Sequence, residues 1–209
     1  RREEYAKVND GDTGEITKAL RNLGQNAMAW AKDLDQPEKN KKLEDAVGYF
    51  SESIELLEAQ NEAFFESPDQ KERFISFNTR LLQRCKLDIK IGEIYALYDN
   101  REERCAKLIE MVPLFPEYEI SIRLRVIDNC TLWKDIEAHL LKIDYNKCDS
   151  DEILYIALYI LYWRRKYGLV KELIRQQIRR FDQAVRIILG SVLEDIRVKE
   201  LEEDIDGKE

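Results

Sequence analysis

EITKALRNLGQNAMAWAKDL, residues 15–34, decides the fold. Its apolar positions Ile16, Ala19, Leu20, Leu23, Ala27, Trp30, Ala31 and Leu34 recur at steps of three and four, the period of an amphipathic helix. Leu23-Gly24 lies inside that helix, and Ile91-Gly92 lies inside a second long apolar-periodic segment. A glycine on the buried side of a helix lets a neighbouring helix come close. Each glycine-bearing segment is followed by another periodic one, so the chain reads as helix, turn, helix.

Further helices follow outward from this one. Leu43, Ala46, Val47, Phe50, Ile54 and Leu57 predict a second helix behind a charged linker, Glu38 to Lys42, running as far as Phe64 or Phe65. Ser67-Pro68-Asp69 starts a third, carrying Phe74 to Ala96. Asp99-Asn100 turns into a fourth, which stops at Pro113 or Pro116. Ile120 to Ile127 and Leu132 to Leu141 give a fifth and a sixth. Ser150 or Asp151 caps a seventh, whose apolar run from Ile153 to Trp163 reads as a helix buried on nearly all sides. Tyr167-Gly168 turns into an eighth, which continues beyond Phe181 or breaks near Asp182. The expectation is an all-α chain of about eight to nine helices. It divides into a polar segment over 1–14, one helical domain over 15–201, and a disordered acidic tail over 202–209.

These pairs resemble tetratricopeptide repeats. Leu20, Leu23, Gly24 and Ala27 follow that family's first-helix pattern, and Ala46, Phe50 and Ser53 its second-helix pattern. Ile91-Gly92-Glu93-Ile94-Tyr95, then Asp99-Asn100, Cys105-Ala106 and Pro113, look like a fuller unit, and Tyr159 to Ile178 like a degenerate one. The resemblance implies antiparallel pairs stacked as a right-handed solenoid, with a concave groove that holds a peptide or a partner helix. Asn22, Asn26, Arg84, Asp88 and Tyr95 are the groove residues it implies. The basic clamp of the family's chaperone-binding branch has no match here.

Composition narrows the function. A net charge of −8 opposes non-specific binding to nucleic acid or anionic membranes. Eleven apolar residues cannot cross a bilayer, which needs about 20. Cys85, Cys105, Cys130 and Cys148 are scattered without a C-x-x-C pair, so a reducing compartment, cytoplasm or nucleus, is expected. His139 is the single histidine, and neither phosphate-binding glycine loop occurs. No catalytic residue, metal site or cofactor is expected. Prolines 37, 68, 113 and 116 cut the chain too often for the long rods of a curvature-sensing bundle.

One stretch departs from the acidic average. Arg164, Arg165, Lys171, Arg175, Arg179 and Arg186 crowd the eighth helix and its flanks. They are a surface for phosphates or an acidic partner, or else a solvated face balanced by neighbouring acids. The leading expectation is a non-enzymatic scaffold or adaptor that binds a protein or peptide. The alternative is a nucleic-acid-contacting subunit of a transcription or RNA-processing assembly, acting through residues 164–186.

Overall fold

The computed structural model describes residues 10–61 and 65–206, and among them there are nine α-helices and no strand. The chain divides into two compact units, Arg1–Cys130 and Thr131–Glu209.

The first unit holds α1 (Asp10–Ala31), α2 (Glu38–Ala59), α3 (Pro68–Leu97), α4 (Arg101–Met111) and α5 (Glu119–Asn129). Helix α1 begins at Asp10, inside the polar segment 1–14, because Gly11 and Gly14 lower helix propensity without ending a helix. Residues 1–9 lie outside the described residues. Charged Glu38 to Lys42, expected as a linker, forms the first turn of α2, since lysine and glutamate are good helix formers. Helix α2 stops at Ala59, short of the expected Phe64 or Phe65, and residues 62–64 lie outside the described residues.

Thr17, Leu20, Ala27 and Ala31 form the buried face of α1, and Leu43, Ala46, Phe50, Ser53 and Leu57 that of α2. Phe50 is 0% exposed and sits over Gly24, whose missing Cβ would lie 2.6 Å from Phe50 Cζ. Ala27, Ala31, Leu43, Ala46, Phe50, Leu82 and Cys85 make one apolar cluster from three helices. A polar chain crosses the same layer: Asn78 Nδ2 donates to Ser53 Oγ (3.3 Å), which donates to the carbonyl of Thr17 (3.3 Å).

Helix α3 changes faces halfway. Asn78, Leu82 and Cys85 meet α1 and α2, whereas Leu87, Ile91 and Ile94 join Leu108, Met111, Ile122 and Val126 in a second cluster with α4 and α5. The two-residue step from Cys85 to Leu87 turns the buried stripe roughly 200° round the helix. One 30-residue helix thereby serves two cores. Asn100 caps α4, its Oδ1 accepting from Glu102 N (2.8 Å), and the helix tightens to a 3₁₀ turn at Val112–Leu114, where Pro113 has no amide hydrogen to continue it.

The second unit holds α6 (Trp133–Leu140), α7 (Ser150–Tyr155), α8 (Tyr167–Gln177) and α9 (Gln183–Asp206). Asp149, not Ser150 or Asp151, caps α7. Its Oδ1 accepts from Glu152 N (2.8 Å) while Glu152 Oε2 accepts from Asp149 N (3.0 Å), a reciprocal capping box. The helix then widens into a π-helical run, Ile156–Tyr162. Ile153, Ile156, Ala157, Ile160 and Leu161 are buried, but Tyr159 is 61% and Trp163 72% exposed, so this segment is not buried on nearly all sides. Helix α9 extends to Asp206 and takes in most of the acidic stretch expected to be disordered; residues 207–209 lie outside the described ones.

The expected turn at Tyr167-Gly168 forms earlier, and Gly168 belongs to α8. Arg165 adopts a left-handed φ of 54°. Lys166 N donates to the carbonyl of Leu161 (3.0 Å) and Arg165 N to that of Tyr162 (2.8 Å), the paired bonds of a Schellman ending. A side chain in that conformation costs about 1 kcal/mol that glycine avoids. Arg165→Gly should therefore raise stability by about 1 kcal/mol. A rightward shift of the urea midpoint would register it; an unchanged or lower midpoint would refute the strain.

Candidate partner-binding groove

Helices α1 and α3 both pack on α2, and two clefts open between them within the first unit. Arg21 and Gln25 of α1 face Arg73, Phe74, Phe77 and Arg80 of α3 across a cleft of about 530 Å³. Further along both helices, Met28 and Lys32 face Arg84, Asp88, Ile91 and Tyr95 across a larger one of about 770 Å³. Lys39 of α2 and Arg125 of α5 also line the larger cleft. Both volumes lie within or near the range that ligand-binding clefts occupy.

Several contacts fix the walls. Arg84 Nε is 3.2 Å from Asp88 Oδ2, and its guanidinium lies 5.8 Å from the centre of the Tyr118 ring. Tyr118 donates to the carbonyl of Arg80 (2.7 Å), and burial pushes its phenol pKa up. The Tyr95 hydroxyl accepts from Asn129 Nδ2 (2.6 Å), and the Arg104 guanidinium covers the Tyr95 ring at 5.0 Å. Behind the wall, burial first and then Asp88 push the Cys85 thiol up to about 12. Arg125 Nε is buried without a hydrogen-bond partner.

Gly92 shapes the end of the larger cleft. A Cβ there would lie 2.4 Å from Gln36 Nε2 and 2.9 Å from Asn40 Oδ1. Its bare backbone therefore admits side chains from the α1–α2 connection and the start of α2. The helix that follows it, α4, supplies none of these near neighbours.

The structure brings Arg84, Asp88 and Tyr95 together on one wall. Asn22 and Asn26 are exposed on α1 but line neither cleft. Arg21, Gln25, Met28 and Lys32 take that place, each a residue or two away in sequence. One residue is about 100° of helix, so a register one position out turns a side chain away from the groove. Leu20, Ala27 and Ala31 face inward, and the 21/25/28/32 stripe flanks them, which is the signal that would have located the wall.

The basic stretch behaves differently. Arg164 donates to the carbonyls of Tyr159 (3.1 Å) and Ile160 (3.2 Å), closing the end of its own helix. Lys171 pairs with Glu200 (2.6 Å), and Arg186 donates to the carbonyls of Phe181 (2.6 Å) and Arg179 (3.1 Å). Nearby Arg180 donates to the carbonyls of Tyr145 (2.7 Å), Asn146 (2.6 Å) and Cys148 (3.3 Å). Arg165 forms the turn, and Arg175 and Arg179 are exposed. Arg164, Arg180 and Arg186 thus hold backbone carbonyls, and Lys171 is the ion-paired member.

Among the described residues no group of three or more His, Cys, Asp or Glu is placed to hold a metal ion, and no helix is long and apolar enough to cross a membrane. Comparison with protein-family models, curated proteins and solved structures returned no match.

Proposed function

We propose that this chain is a non-enzymatic protein-interaction module, a helical-repeat scaffold or adaptor whose groove between α1 and α3 holds a segment of a partner protein. In this reading the helix pairs are units of a tetratricopeptide-like right-handed solenoid, and the module belongs to a larger cytosolic or nuclear complex. The observation that carries it is the convergence of Arg84, Asp88 and Tyr95 on one wall of the 770 Å³ cleft. Beneath the groove, Phe50 seated on Gly24 packs α1 closely against α2.

A photo-crosslinking amino acid placed at Gln25 or at Tyr95, and for comparison at Arg175, tests this in cells. Discrete protein adducts are expected from the two groove positions and not from 175. Adducts confined to 175 would overturn the reading. If those adducts were nucleic acid, the second function, contact through 164–186, would take its place. That alternative rests on exposed Arg175 and Arg179, and it is weakened by the backbone and ion-pair duties of Arg164, Lys171 and Arg186.

A further inference from the structure

We propose that the occupant of the groove is an extended acidic segment of the partner, its carboxylates spaced by apolar side chains. This rests on the groove being the docking site.

Charge is the first argument. The chain is acidic overall, at −8, yet this groove is cationic. Arg21, Arg73 and Arg80 line the smaller cleft, and Lys32, Lys39 and Arg125 the larger. None of them forms an ion pair among the described residues. Among the described residues Asp88 is the one carboxylate lining either cleft, and it already pairs with Arg84. Asp69 and Glu72 share a neighbouring depression with Arg73 and Arg80 but make no ion pair with them. Collecting like charges between two helices is unfavourable unless opposite charge arrives to balance it.

Arg125 is the second argument. Its Nε–H is buried and charge-bearing yet has no acceptor, an arrangement that is unfavourable until one arrives. Arg125 also lines the larger cleft, so a carboxylate bound there would lie beside an under-satisfied guanidinium.

Shape gives the third. From Arg73 to Tyr95 the groove follows α3 for roughly 33 Å at 1.5 Å per residue. An extended strand covers that length with about ten residues. Phe74 and Phe77, 36% and 37% exposed, and Met28 offer apolar footholds between the cations. A nucleic-acid strand fits less well. The Arg21 guanidinium already lies over Phe74 (6.0 Å) and that of Arg104 over Tyr95 (5.0 Å), leaving those faces unavailable for base stacking.

The test uses the whole chain and three fluorescent probes: a decapeptide of glutamates with leucine at every third position, the same peptide with glutamine for glutamate, and a single-stranded decanucleotide. Saturable binding of the glutamate peptide is expected, at least about tenfold tighter than the glutamine peptide and weakened by salt. Arg80→Gln and Arg125→Gln should each weaken it several-fold, while Lys107→Gln, at an α4 position that pairs with Glu110 and lines neither cleft, should not. Circular dichroism melts establish that each variant is folded, and the exposed Arg80→Gln keeps the test available should Arg125→Gln unfold. Equal binding of the two peptides, indifference to Arg80→Gln, or tighter binding of the oligonucleotide would overturn the proposal. If crosslinking at Tyr95 then captured a neutral or basic segment, only the acidic assignment would be lost. If it captured no protein, the docking site itself would go with it.

Discussion

Gly24→Ala should destabilise the protein by about 1–2 kcal/mol, although alanine is the better helix former by about 1 kcal/mol. The added methyl would stand 2.6, 2.7 and 3.0 Å from Cζ, Cε1 and Cε2 of Phe50. Phe50 is fully buried among Ala27, Ala31, Leu43, Ala46, Leu82 and Cys85, so the ring has no open space to move into. Overpacking of this kind costs about 1–3 kcal/mol and outweighs the propensity gain. Gly48→Ala makes the same chemical change on α2, where nothing lies within 4 Å of the new Cβ. There the propensity gain stands alone, and stability should rise by about 0.5–1 kcal/mol. Urea denaturation of the two variants should therefore move the midpoint in opposite directions. Phe50→Leu introduced into Gly24→Ala should restore part of the loss, so that the double variant is more stable than the sum of the singles. A Gly24→Ala midpoint at or above wild type would show that α1 and α2 are not locked by this contact. The groove would then lose its rigid wall.

What was legible in the sequence followed from short-range rules. Helix positions came from steps of three and four, and Pro68 and Asn100 marked starts because prolines and short polar side chains suit the first turn, while Ser150 or Asp151 placed the cap of α7 one or two residues beyond Asp149. Gly24 was legible as a seat for a neighbouring helix because Leu20 and Ala27 place it on the inward face. Gly92 presented the same pattern, but its near neighbours are Gln36 and Asn40 rather than the following helix, and no local rule distinguishes the two cases. The turn at Arg165 was hidden for a related reason. A left-handed arginine leaves no compositional trace, while Gly168 three residues later offers a better-looking but incorrect signal. The π-helical run was hidden because a helix rich in apolar residues has too little periodicity to reveal a change of pitch.

The candidate groove was half legible. Arg84, Asp88 and Tyr95 share a stripe of one helix, so a single register locates them together. Its cationic character comes from Arg21, Lys32, Lys39, Arg80 and Arg125, which are far apart in the chain and meet only after α1, α2, α3 and α5 pack. In the run at 164–186, Arg164 and Arg186 hold backbone carbonyls and Lys171 pairs with Glu200, while Arg175 and Arg179 stay exposed. Arginine density along a chain therefore does not show which cations meet across one cleft.

Alkaline pH should unfold the protein through its buried thiols. Burial, before any other cause, pushes Cys85 up to about 12, and burial reinforced by Glu152 and Asp149 does the same to Cys148. An unfolded thiol titrates near 9. Below about pH 9 both states keep the proton, and the full stability is present. Between about 9 and 12 the unfolded chain releases protons that the folded chain retains, so stability falls as pH rises. Tyr118 and Tyr145, also raised by burial, act in the same direction. Replacing both Cys85 and Cys148 by alanine separates the contributions, since the tyrosines remain. The double variant should be less stable near pH 8 because it leaves small cavities, yet its urea midpoint should decline less steeply between about pH 9 and 11. At pH 8 the two thiols should also resist iodoacetamide in the folded protein and react once urea opens it. Parallel declines for wild type and double variant, or rapid alkylation of Cys85 in the folded state, would mean that the layer between α1 and α3 admits water.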